Sequence, residues 1–78
     1  DSAMGLKELV RKHIDQYFEE LDGEIPQGLY DLVVGQVEHA LLEAALHQSN
    51  NNQSKAAEML GISRGTLRTR MKLFGLLS

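Results

Sequence analysis

The chain has 78 residues, 42% of them hydrophobic and 24% charged, with a formal net charge of −3 and no cysteine. This is enough for one domain and too short for two, and without cysteine neither a disulfide framework nor a thiolate metal site can hold the fold, so packing must do so. No apolar run approaches the roughly 18 residues of a membrane span, and the first residues lack the basic-then-apolar order of a secretory signal, so the expectation is a soluble, cytoplasmic protein.

Asp1, Ser2 and Ala3 ahead of Met4 read as a cloning remnant and stand outside the fold reasoning. From Leu6 to Leu21 the residues Leu6, Leu9, Val10, Ile14, Tyr17, Phe18 and Leu21 recur at spacings of three and four, the period of one helical face. Asp22-Gly23 stops this first helix, and Pro26 stands where another can begin, because its missing N–H is no loss in a first turn. Between Leu29 and Leu46 the apolar side chains cover more than one stripe. Leu29, Leu32, Val33, Val37, Ala40, Leu41, Ala44 and Ala45 form one broad face, with Val34, Leu42 and Leu46 off it. A helix this apolar needs two partners, and in so short a chain a second copy is the economical source of one.

Gln48 to Gln53 is a polar linker that ends in capping chemistry: Asn52 can accept from the free N–H groups of a third helix over about Gln53 to Leu60. Gly61 ends that helix, Ser63 caps a fourth over about Arg64 to Leu73, and Gly75 ends it. No strand pattern survives the helical periodicity, so the expected fold is all-α with four helices.

Gln53 to Lys72 has helix-turn-helix spacing. Ala56 and Ala57 are small where two helices must approach, Gly61 permits the reversal, and Ile62, Leu67 and Met71 seal the second helix against the first through Leu60. Its exposed face keeps Arg64, Thr66, Arg68 and Lys72, with Ser63 at the amino end, a set rich in donors for base edges and phosphates. The charge is segregated in the same sense: residues 1–52 sum to −7 and residues 53–78 to +4. A local basic face is what phosphate requires, although an acidic body should weaken non-specific affinity. Geometry alone leaves open a structural αα-hairpin with a basic solvated face.

Other constellations are weaker. His39, Glu43 and His47 are four apart and could hold a divalent metal, but single-turn spacings arise by chance and no HExxH order is present, so a solvated face is the reading taken. No phosphate loop, catalytic triad or cofactor fingerprint occurs, so neither an enzyme nor a cofactor is expected. His13 reads as a surface residue, while Tyr17, Phe18, Tyr30 and Phe74 are spaced like core residues. A purely structural dimerisation module remains the alternative of another class, and it would not need the charges of Arg64 and Arg68.

Residues Leu29 to Gly75 resemble the Fis family of helix-turn-helix domains. The likeness rests on Leu-Tyr-Asp-Leu-Val at 29–33, Val-Glu-His-Ala-Leu-Leu at 37–42, Asn-Gln-Ser-Lys-Ala-Ala-Glu-Met-Leu-Gly-Ile at 52–62, Ser-Arg-Gly-Thr-Leu-Arg at 63–68 and Lys-Leu-Phe-Gly at 72–75. Tyr17-Phe18 before the Gly23 turn also fits, so the likeness covers nearly the whole chain. It implies a Fis-type domain over residues 5–78, with dimerisation helices over about 5–49 and the helix-turn-helix over about 52–74. It further implies a homodimer that places its recognition helices in adjacent major grooves and bends double-stranded DNA. The family's DNA contacts fall on Asn52, Ser54, Ser63, Arg64, Thr66, Arg68, Thr69 and Lys72. Among these Arg64 is the base reader by bidentate bonding to guanine, Asn52, Ser54 and Thr66 hold phosphates from helix ends, and Arg68, Thr69 and Lys72 do so from the helix flank.

Two kinds of protein carry such a domain: stand-alone Fis nucleoid proteins, and sigma-54-dependent activators of the nitrogen regulatory protein C type, which carry it at the carboxyl end. The nucleoid protein usually has a basic residue where this chain has Thr69 and Leu73, and asparagine in place of Ser63, so fewer phosphate contacts are implied, with Arg70 compensating in part. The mobile amino-terminal arm that stimulates site-specific recombinases is missing from this sequence, which speaks against that activity. The acidic body and the Ile-Pro-Gln-Gly-Leu-Tyr approach to the second helix favour the activator, with upstream ATPase and receiver domains and two-component control, over the nucleoid-associated alternative.

Overall fold

A computed structural model describes residues 5–77; residues 1–3, read from the sequence as a cloning remnant, Met4 and Ser78, the last residue of the expected domain, lie outside the described residues. Four helices follow in order, α1 (Leu6–Leu21), α2 (Leu29–Gln48), α3 (Gln53–Leu60) and α4 (Arg64–Leu73), and there is no strand among the described residues. The all-α, four-helix expectation is met. None of these helices is long and apolar enough to cross a membrane. The chain divides into two compact units, one ending at Val33 and one beginning at Val34.

In the first unit, α1 follows Gly5, which has no side chain to cap it, and carries Glu8 in its first turn, where a carboxylate suits the positive end of the helix dipole. It ends at Asp22 in the left-handed conformation (φ 51°). Val10, Ile14, Tyr17 and Leu21 are half-buried, Leu6, Leu9 and Phe18 are exposed, and no residue of α1 is buried. The start of α2 differs from expectation. Pro26 does not occupy its first turn, because Gly28 adopts a left-handed φ of 68° between the two, and only then does the helix begin, with the Gly28 carbonyl accepting from the Leu32 N–H at 3.0 Å.

The second unit contains the core. Leu42, Ala45 and Leu46 of α2, Ala56 and Ala57 of α3, and Leu67 and Met71 of α4 are buried together, with Leu60, Ile62, Phe74, Leu76 and Leu77 packed around them. Ala56 and Leu67 are completely enclosed. Burying a leucine side chain is worth about 2 kcal/mol, so Leu42, Leu46 and Leu67 are the principal anchors. The sequence reading of the α2 faces holds only in part. Leu42 and Leu46, placed off the broad apolar face, enter the core beside Ala45 of that face, whereas Leu32, Val37 and Leu41 from the broad face remain exposed. Two apolar stripes are present, and α3 and α4 cover the one centred on Leu42.

The α2–α3 turn is tighter than a linker. Gln48 still belongs to α2, and Ser49 is buried with its hydroxyl donating to the Leu46 carbonyl at 3.2 Å. Asn50 (φ 55°) and Asn51 (φ 63°) are both left-handed, a conformation asparagine tolerates better than other non-glycine residues. Asn51 N–H then closes the helix end on the Leu46 carbonyl at 2.8 Å. Among the aromatics, Phe74 packs at the edge of the core, where its ring stacks on His39 at a centroid distance of 5.0 Å. Tyr30 and Phe18 are exposed, contrary to the core spacing read for them, and Tyr17 is half-buried.

Candidate nucleic-acid interface

The helix-turn-helix is set by its caps. The Asn52 side chain accepts from the Lys55 N–H at 3.1 Å, so α3 starts where the sequence places it. At its end Gly61 takes φ 74°, and this lets its own N–H reach the Glu58 carbonyl and the Ile62 N–H reach the Ala57 carbonyl at 3.0 Å. Two residues later the Ser63 hydroxyl oxygen accepts from the Thr66 N–H at 3.0 Å and starts α4, while its proton is donated to the Thr66 hydroxyl at 2.9 Å. Leu67 and Met71, one turn apart, fix the inner face of α4. The remaining positions of that helix are thereby turned outward.

All eight residues expected at the interface are exposed: Asn52 and Ser54 at the start of α3, and Ser63, Arg64, Thr66, Arg68, Thr69 and Lys72 along α4. The structure also shows what each has left to offer. Asn52 keeps its amide N–H groups, since only its oxygen is engaged in the cap. Thr66 keeps a hydroxyl proton, but Thr69 donates its own to the Gly65 carbonyl at 3.1 Å. Arg68 Nη1 donates to Gln53 Oε1 at 2.9 Å, which ties the middle of α4 to the first residue of α3. Arg64, Arg68 and Lys72 recur at one-turn intervals, and none of them forms an ion pair among the described residues.

Arg70 does not compensate for the missing basic residues. Its guanidinium forms a two-pronged ion pair with both carboxylate oxygens of Glu38 on α2. The hydrogen bonds from Arg70 hold the Glu38 carboxyl below the usual carboxylate range, and the same bonds raise Arg70. Glu38 and Gln53 were missed by sequence reasoning: their partners are 32 and 15 residues away, beyond the reach of any helical period. Lys55, exposed in the first turn of α3, was legible only as charge. His39 is not simply solvated, since its ring lies on Phe74 and its Nε2 is 3.4 Å from Glu43.

The first turns differ between the two halves of the chain. α1 and α2 carry Glu8 and Asp31 there, whereas the first turns of α3 and α4 carry no acid and instead hold Lys55 and Arg64. A cation at the positive end of a helix dipole opposes stability, as do like charges one turn apart, each by a few tenths of a kcal/mol or more. Only an anion supplied from outside turns that arrangement into an advantage.

A family model described as bacterial regulatory protein, Fis family, matches residues 33–74. The chain belongs to the Fis family. It is 44% identical over 71 residues to the DNA-binding protein Fis of Actinobacillus succinogenes, covering 91% of this chain and 72% of that protein. It is 43% identical to a Fis-like DNA-binding protein of Ralstonia nicotianae, covering 92% of this chain and 94% of the relative. A Fis-like DNA-binding protein of Neisseria meningitidis serogroup B is 44% identical, with 92% of this chain and 91% of the relative covered. These relatives carry Fis names and, in the last two, are spanned almost end to end, which leaves no room in them for ATPase and receiver domains. They therefore support the stand-alone alternative over the activator favoured from the acidic body. An acidic body is a whole-surface property and does not distinguish the two kinds of protein.

Proposed function

We propose that this chain is a stand-alone Fis-like, sequence-recognising DNA-binding protein that acts as a homodimer in bacterial transcription regulation or chromosome organisation, as a cytoplasmic, nucleoid-associated protein. The observation that carries the reading is the inverted charge at the starts of α3 and α4, where Lys55 and Arg64 replace the acids that the other two helices have. Phosphate oxygens on a duplex complement both ends at once. Arg64 reads a guanine edge. Asn52, Ser54 and Thr66 hold phosphates from the helix ends, and Arg68, Thr69 and Lys72 from the flank, while Ser63 shapes the start of the recognition helix. The domain extends over residues 5–78, with α1 and α2 pairing two copies and residues of about 52–74 engaging the duplex. The names of the relatives support the same ligand.

The test is titration into a duplex of about 25 base pairs with an A/T-rich centre and guanines about 15 base pairs apart, beside a scrambled duplex, at several salt concentrations. The expected result is dimeric, salt-weakened binding that prefers the designed site, with Arg64→Ala losing about 1–3 kcal/mol and the preference. Absence of binding to either duplex at low salt overturns the reading.

A further inference from the structure

Gly65 is the second residue of α4, and nothing in the fold explains why it is glycine. Its backbone is helical, without the positive φ found at Gly61 or Gly75, and a Cβ built on it meets no atom within 4 Å. Glycine inside a helix is less stable than alanine by up to about 1 kcal/mol, so the free protein would gain from an alanine here. The position is also on the outward side: two residues before the buried Leu67, it lies about 200° round the helix from it. Arg64 adjoins it, Arg68 and Thr69 follow within about one turn, and the Thr69 hydroxyl bonds to its carbonyl.

We propose that Gly65 is the point of closest approach between α4 and DNA, where the duplex comes within the radius of a Cβ and the bare backbone sets how deeply the recognition helix sits. This rests on the DNA-binding reading and adds to it a contact made by the absence of a side chain. Gly35 in α2 supplies the comparison. It too is helical with nothing within 4 Å of a Cβ, but Asp31 and Glu38 flank it along the helix, a setting that repels a polyanion.

The experiment compares wild type, Gly65→Ala, Gly65→Leu and Gly35→Ala for thermal midpoint and for affinity to the designed duplex. Gly65→Ala is expected to melt at or above the wild-type temperature yet bind DNA about tenfold or more weakly, with Gly65→Leu weaker still, as overfilling a close contact requires. Gly35→Ala should share the rise in midpoint and keep its affinity within about twofold. Unchanged affinity in both Gly65 variants, or an equal loss in Gly35→Ala, overturns the proposal while leaving the DNA-binding reading intact. A wild type that binds no duplex removes both.

Discussion

Arg70 lies on the same helix as the interface cations but has a different task. Its guanidinium is clamped by Glu38, so it fastens α4 to α2 rather than facing a phosphate. A guanidinium fork bound two-pronged to a carboxylate is a geometrically specific contact, although partial exposure of both side chains limits its worth. Because the Glu38 carboxyl titrates below its ordinary value of 4.5 in the folded chain, its stabilisation is complete above that value and disappears as pH falls through the lower, folded one. Glu38→Gln keeps the shape and removes the charge. Its thermal midpoint should lie below wild type at pH 7, and the gap should close in acid below about pH 4.5 as the wild-type carboxyl protonates. A gap that is constant with pH would show that the glutamate contributes only packing. Arg64 is the opposite case, since its removal should leave the midpoint unchanged or higher, given its unfavourable place at a helix start.

At the scale of the elements, α3 and α4 were the most legible parts of the chain. Their ends are marked by side chains that act locally: Asn52 and Ser63 accept from N–H groups three residues on, and Gly61 supplies a left-handed turn. The same local logic left other features unread. Periodicity shows which residues of α2 share a face but not which of two apolar faces a neighbour will cover, so it did not single out Leu42 and Leu46 as the residues that enter the core. A run of three asparagines reads as linker, and only the structure shows two of them left-handed in a tight turn. Contacts such as Arg68–Gln53 have no sequence signature at all, because they depend on how two helices meet. The caps offer a way to separate folding from binding. Asn52→Asp retains the accepting oxygen and adds negative charge at the start of α3, which should hold stability or raise it by a few tenths of a kcal/mol while weakening DNA binding through repulsion from the backbone phosphates. Asn52→Ala should lose about 1 kcal/mol of stability by denaturant titration. If Asn52→Asp bound the duplex as well as wild type, phosphate would not approach the start of α3.

For the whole molecule, the exposed apolar side chains and the segregated charge bear on the same assembly. Leu32, Val37 and Leu41 on α2 and Leu6, Leu9 and Phe18 on α1 remain exposed in the single chain, apolar side chains that a second copy would remove from water. Pairing two copies through these helices would also bring together two bodies of charge −7. Salt therefore acts on the two associations in opposite directions: it screens repulsion between the acidic bodies and strengthens the dimer, while it weakens the contact of the basic faces with phosphate. Leu41→Asp tests the pairing, because Leu41 is 54% exposed and its replacement leaves the core around Leu42 and Leu67 untouched. The variant should keep its helical circular dichroism but sediment as the 8.7 kDa chain. Its melting temperature should no longer rise with protein concentration, and its affinity for a two-site duplex should fall about a hundredfold or more, because the two half-sites are no longer engaged by one linked unit. A wild type that sediments as the single chain at all concentrations would refute the pairing. A dimeric Leu41→Asp would move the interface off α2 and onto α1.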